Sequence, residues 1–322
     1  MKLTRLLLLF LLININSFAS ASSHTIYDDS ISEFIIQPKQ IKLATPLPTE
    51  TVQFQYDNKK DIYFREFSSP EALKQFKCLA TDVDEKLLQV QDRRRIIGEG
   101  IFKDPYNYHF FLEMIYYNIG PNKTSKIYYG SAILIANNLL LTAAHNLFDL
   151  LDGGYPDELR CYGACHLNKV LAESIVFPKK DDSSVFVPKA YQEKLDPASD
   201  IALVIFTSEV AAKIATSGLK FALPVSLPST FFKGKKFNIT GYPGVRSAYS
   251  HEGDVLGEVE SNRIKYDIDT TKGQSGSGIW FLHKDHGVVC VGTHTSAGQD
   301  AQPFNLGVLI NEELKSKIES LI

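Results

Sequence analysis

From Ile96 to the C-terminus the chain is written in short apolar runs broken by Gly, Pro and Asn, and this punctuation constrains the fold more than any single residue does. Runs such as Ala132–Ile135, Leu139–Leu141, Ile201–Ile205 and Val288–Val291 suit short strands, and they do not alternate with helical segments as a parallel α/β sheet would require. The pattern predicts an all-β, antiparallel protein with enough chain for two small barrels. Its last stretch is the exception. Asn311 is placed to cap a helix whose first turn carries Glu312 and Glu313, and Leu314, Ile318, Leu321 and Ile322 then share one face that can pack on a barrel. No internal repeat is evident.

Within this frame, Thr270–Trp280 reads TTKGQSGSGIW. A serine between close-set glycines exposes its hydroxyl, and glycine backbones can turn the N–H groups of Gly273 and Ser275 toward one point beside it, where an oxyanion would be held. A serine hydroxyl is inert near neutral pH unless a histidine takes its proton and an acid orients that histidine. His145 follows two apolar runs joined by Asn137-Asn138, a pair that tolerates the left-handed conformation of tight hairpins, so it falls just past a strand end. Asp200 opens the apolar run Ile201–Ile205, where its carboxylate would be shielded from water. Taken singly, each has a bland reading: a turn serine, a structural histidine, a turn aspartate. The conjunction is less bland.

The motifs TAAHN, DIAL and GQSGSG, in the order His145, Asp200, Ser275, resemble those of the chymotrypsin-like serine peptidases. Asn238–Gly244, Tyr266–Thr271 and Gly292–His294 look like the glutamyl endopeptidase branch of that family. The resemblance implies a chymotrypsin-like double antiparallel β-barrel over residues 96–322, with the catalytic cleft between the barrels and a C-terminal helix. It implies an endopeptidase acting on protein or peptide substrates, with Ser275 as nucleophile, His145 as base, Asp200 as its orienting acid, and Gly273 and Ser275 as the oxyanion hole. Two departures stand out. Gln274 occupies the position where many members carry the Asp that pairs with a new N-terminus, and Gly278 replaces a common Pro.

Specificity is contested within the sequence. Asp269 falls at the family's pocket base, as in enzymes that cleave after Lys or Arg. Thr270 and His294 fall where glutamyl endopeptidases bind a substrate carboxylate. His294 has no evident purpose in a Lys/Arg pocket and would repel a substrate cation when protonated, which favours cleavage after Glu, less readily after Asp. The alternatives are trypsin-like cleavage directed by Asp269 and, from another class, a noncatalytic secreted binding protein on a peptidase fold. An intact triad argues against the latter. A lipase-like hydrolase would have the order Ser, Asp, His.

The N-terminus reads as an export signal over residues 1–21, with Lys2 and Arg5, the apolar run Leu6–Ile13 and a small-residue end at Ala19-Ser20-Ala21; a membrane span needs about 20 apolar residues. A secreted protein, extracellular or periplasmic, with no membrane span is expected. Residues 22–95 have a different texture, with Pro38, Pro46, Pro48, Pro70 and many charges, and read as a prosegment with a strand over 51–56 and a helix over 69–79. Arg93-Arg94-Arg95 followed by Ile96-Ile97-Gly98 resembles a zymogen activation junction, which places cleavage between Arg95 and Ile96. A Glu-specific enzyme would need a separate activating protease to cut there.

With 44% hydrophobic and 22% charged residues and a formal net charge of −3, the chain can build a core and lacks the basic footprint of a nucleic-acid binder. Cys161 and Cys165 are close enough for a local disulfide, whereas Cys290, in an apolar run, reads as a small buried hydrophobe. Cys161, Cys165 and His166 lack the second ligand pair a zinc site needs, and no metal or cofactor is expected.

Overall fold

The computed structural model describes residues 24–37, 87–88, 91–119, 124–257, 261–298 and 304–322. The expected signal 1–21 and the strand and helix expected over 51–56 and 69–79 lie outside the described residues. Short stretches β1 (Ile26–Tyr27) and β2 (Arg95–Ile96) precede the first barrel strands, β3 (His109–Ile119), β4 (Thr124–Ala136) and β5 (Leu139–Thr142). A one-turn helix α1 (Ala144–Leu147) follows, then β6 (Glu158–Gly163), β7 (Ala172–Val176), β8 (Val185–Phe186), α2 (Lys189–Lys194) and β9 (Ala202–Ile205). The strands from β3 to β9 form one antiparallel sheet in the order β7-β6-β3-β4-β5-β9-β8.

After α3 (Ser208–Thr216) and β10 (Leu223–Pro224) come β11 (Lys236–Gly241), β12 (Tyr249–Asp254), β13 (Arg263–Tyr266), β14 (Gly278–His283), β15 (Gly287–Ala297) and β16 (Asn305–Leu309). They build the second sheet in the order β13-β16-β15-β14-β11-β12-β2, with β1 alongside β14 and β10 alongside β15, both parallel. Each sheet curls on itself. The result is the expected pair of antiparallel barrels, with two short parallel additions to the second.

Why these runs are apolar throughout, rather than alternating, follows from burial on both faces. In β4, Ala132 and Leu134 face the core of the first barrel while Ile133 and Ile135 face the seam between the barrels; in β14, Ile279 and Phe281 line the second barrel's core and Trp280 the seam. The chain ends on α4 (Glu312–Glu319), capped as expected by the Asn311 side chain accepting from Leu314 N–H at 2.9 Å. Leu314 and Ile318 are buried in the seam, with Leu321 and Ile322 packed against it. Asn138 contributes differently from expectation. Neither Asn137 nor Asn138 takes a positive φ, and the Asn138 amide instead donates to the Leu321 carbonyl at 2.8 Å, tying the β4–β5 turn to the end of α4.

Cys161 and Cys165 are not bridged; both are free and buried. Cys161 points into the first barrel's core, whereas Cys165, beyond the left-handed Ala164, sits with Phe111 and Tyr242 in a separate cluster, so their sulfurs face different surroundings. Cys290 is buried in the seam, and burial pushes its thiol up to about 12. Residues 24–37, from the expected prosegment, pack on the second barrel. Ile31 is fully buried there beside Phe232 and Phe281, and Thr25 bonds Glu252 through both its N–H and its hydroxyl.

Candidate active site

His145 lies in α1, three residues beyond the end of the buried strand β5 once the chain has turned out of the sheet. Asp200 follows a short turn over Pro197–Ser199 that Asp196 caps, and is almost fully buried as the chain enters β9. Both carboxylate oxygens of Asp200 meet the same residue: Oδ1 accepts from the His145 main-chain N–H at 2.9 Å and Oδ2 contacts the His145 Nδ1 at 2.7 Å. An ionised carboxylate can only accept, so the neutral ring carries its proton on Nδ1 and leaves Nε2 as the basic nitrogen. The double attachment fixes ring position and tautomer together.

Ser275 comes from the second barrel, in the tight loop before β14. Gly273 and Gly276 on either side have φ of +94° and +85°. A Cβ at Gly273 would come within 2.2 Å of the Gly244 nitrogen, and one at Gly276 within 2.2 Å of the Ser131 carbonyl, so neither place admits a side chain. The loop uses the N–H groups of Gln274, Gly276 and Ser277 on the carbonyls of Thr271, His294 and Gln274. The Ser275 hydroxyl donates to the Thr295 carbonyl at 3.3 Å.

Bonds across the seam hold the serine loop to the histidine helix. The Ser275 carbonyl accepts from Ser131 N–H at 2.8 Å and from the Asn146 amide at 2.9 Å, Asn146 being the neighbour of His145. Ser131 also donates its hydroxyl to the Gly273 carbonyl and accepts from Tyr242 N–H. Asn146 and Ser131 were not foreseen as site residues, although Asn146 stands inside TAAHN; a residue that works through its amide on a distant carbonyl carries no local signal.

The three specificity candidates adjoin the serine loop. Thr270 is fully buried and its hydroxyl has no hydrogen-bond partner among the described residues. His294, also fully buried, is oriented through Nδ1 by the Tyr266 hydroxyl at 2.6 Å and the Leu306 carbonyl at 3.1 Å, while its main-chain N–H donates to Ser277. Asp269 is buried and heavily engaged. Its carboxylate accepts from Leu88 N–H at 2.9 Å, from Arg93 N–H at 3.1 Å, and from the Arg93 guanidinium at 3.0 and 2.9 Å; the same guanidinium also grips Asp267 at 2.6 and 3.1 Å. Burial alone would push the Asp269 carboxyl up, but the bonds from Arg93 and Leu88 outweigh it and hold it below the ordinary carboxylate range.

The expected activation junction lies in the second sheet. Arg95 and Ile96 form β2, paired with Ser250 and Tyr249 of β12. Arg94 donates to the Thr271 hydroxyl at 2.5 Å and the Gln274 side chain at 2.6 Å, pairs with Asp92 at 2.8 Å and stacks over Tyr249. The Arg95 side chain meets the Tyr106 hydroxyl and His24. Among the described residues, no group of three or more His, Cys, Asp or Glu is arranged to hold a metal ion, and no helix is long and apolar enough to cross a membrane.

No family model and no curated protein matches this chain. Solved structures do. A Glu endopeptidase in complex with MPD is 22% identical, with a TM-score of 0.55 over 72% of this chain and 97% of its own. A thermostable serine protease, AL20, from an extremophilic microorganism is 13% identical, with a TM-score of 0.52 over 66% of this chain and 95% of its own. What this chain shares with both is the fold, seen here as two antiparallel barrels.

Proposed function

We propose that the protein is an exported serine endopeptidase, made as a precursor, that cleaves preferentially after Glu and less readily after Asp. The observation that carries the peptidase reading is the doubly bonded His145–Asp200 pair, joined to the Ser275 loop by the Asn146 and Ser131 bonds. Ser275 Oγ attacks the substrate carbonyl as His145 Nε2 takes its proton, and Asp200 stabilises the imidazolium that results. The tetrahedral oxyanion is met by the N–H groups of Gly273 and Ser275; losing one such donor typically costs about 10²–10³ in turnover. His145 returns the proton to the leaving amine, then activates the water that releases the acyl group.

Glu preference is supported by the buried hydroxyl of Thr270 and the oriented imidazole of His294, two groups able to meet a carboxylate beside the nucleophile loop. The similarity in fold to a Glu endopeptidase accords with it. The second reading, cleavage after Lys or Arg, rests on Asp269. That carboxylate already accepts from Leu88 and Arg93, which weakens its claim to a substrate cation. The noncatalytic reading has no missing triad member to support it.

The test is a cleavage profile over a peptide library, with the Ser275→Ala protein as control. Cuts after Glu exceeding those after Asp, and absent in Ser275→Ala, are expected. Cuts confined to Lys and Arg would overturn the Glu preference, and full activity in Ser275→Ala would overturn the mechanism.

A further inference from the structure

Arg93-Arg94-Arg95 resembles a processing site in the sequence, yet every one of its side chains is docked in the folded protein. Arg93 binds Asp269 through main chain and side chain alike, and Leu88 N–H reaches the same carboxylate. The direction of approach matters. An arginine held in the pocket as a substrate would leave its main chain at Ser275 and send only its guanidinium to the pocket base. Here the main chain itself lies at Asp269 and runs on into β2, hydrogen-bonded to β12. The segment therefore forms a wall beside Asp269 that belongs to the second sheet.

We propose that Arg93 is a specificity-determining residue acting through Asp269, whose charge it neutralises so that the pocket selects an acidic side chain, and that the active enzyme keeps residues 88–95. This rests on the Glu reading above. A bare carboxylate at that position would attract a cation and repel Glu. With the Arg93 guanidinium at 2.9 Å and two N–H donors on its oxygens, its capacity to accept is largely taken up. Asp267, which shares the guanidinium, has a side chain about a third exposed and is screened by water. Arg94 braces the same wall, bonding Gln274 and Thr271. Cleavage between Arg95 and Ile96 would cut β2 in two and release both arginines from the chain that positions them.

The experiment compares two peptides differing only in Glu or Arg at the cleaved position. The unaltered enzyme is expected to favour Glu. Arg93→Gln should shift the Glu-to-Arg ratio of kcat/KM toward Arg on the order of tenfold or more, because it leaves Asp269 buried and uncompensated. Adding Asp269→Asn to Arg93→Gln should restore the preference for Glu, and Arg93→Lys should retain most of it. Damage to packing alone would lower both substrates together and leave the ratio unmoved. An unchanged ratio in Arg93→Gln, or no restoration in the double variant, overturns the proposal. Intact mass of the secreted active enzyme gives a readout independent of whether variants fold: an N-terminus at or before Leu88 is expected, and one at Ile96 with full Glu selectivity overturns it. A wild-type enzyme that cuts but never after Glu defeats the Glu reading itself, before any variant is made.

Discussion

The two barrels contribute to the site in different ways. The first builds the His145–Asp200 pair from its own strand ends, with both bonds made between residues of one sheet's connections. The second is completed by chain that precedes the first: residues 24–37 fill part of its core and edge, Leu88 and Arg93 bond Asp269, and Arg95 and Ile96 pair with β12. On the proposed reading the proton-transfer pair is thus local, whereas the surroundings of Asp269 depend on which N-terminal residues remain. Trimming the N-terminus is expected to change selectivity and stability while leaving the base and its acid in place.

The sharpest way to separate these roles is Asp200→Asn. It leaves the geometry but can invert the His145 tautomer, and in the well-studied triad the same exchange costs about 10⁴ in kcat. A fall of that order, with the ratio of Glu to Arg cleavage unchanged, is expected from steady-state kinetics on matched peptides. A change in selectivity would break the separation between the barrels.

Next in size is Ile31→Ala. Ile31 is wholly buried in the second barrel's core, and removing a buried aliphatic side chain typically costs about 2–5 kcal/mol. Urea denaturation should show a loss in that range. A stability equal to that of the unaltered protein would mean that residues 24–37 are not part of the barrel's core.

A smaller effect tests the first barrel through pH. Burial pushes the His109 imidazole down to about 3, and both its ring nitrogens lack hydrogen-bond partners among the described residues. The unfolded chain takes up this proton near pH 6.5 and the folded protein does not, so stability falls as pH drops from about 6.5 toward 3, by at most about 1.4 kcal/mol per pH unit. His251 in the second barrel, its pKa lowered by burial and then by Arg93, adds a slope of the same sign. His109→Phe should flatten the acid slope measured by denaturation at successive pH values; an unchanged slope would assign the effect to the second barrel.

Much of this was legible in the chain. Strand runs, the Asn311 cap and the motifs around His145, Asp200 and Ser275 are local patterns, and local patterns survive reading in one dimension. Arg93 is the counterexample. Its partners Asp267 and Asp269 lie 174 and 176 residues away, so nothing near the arginines distinguishes a strut from a processing site. The same holds for Asn146 and Ser131, whose purpose appears only once the barrels meet. Cys161 and Cys165 misled in the other direction, because a spacing that permits a bridge says nothing of the left-handed turn at Ala164 that sends them apart.

The central claim is that Ser275 is a nucleophile activated by His145, and covalent labelling tests it most directly. The purified protein is treated with a serine-directed fluorophosphonate, digested and mapped by mass spectrometry, alongside heat-denatured protein and the His145→Ala variant. A single adduct on Ser275, formed only by the folded protein with His145 present, is the predicted result. A folded protein that takes no label at Ser275, or takes it equally without His145, would contradict the account.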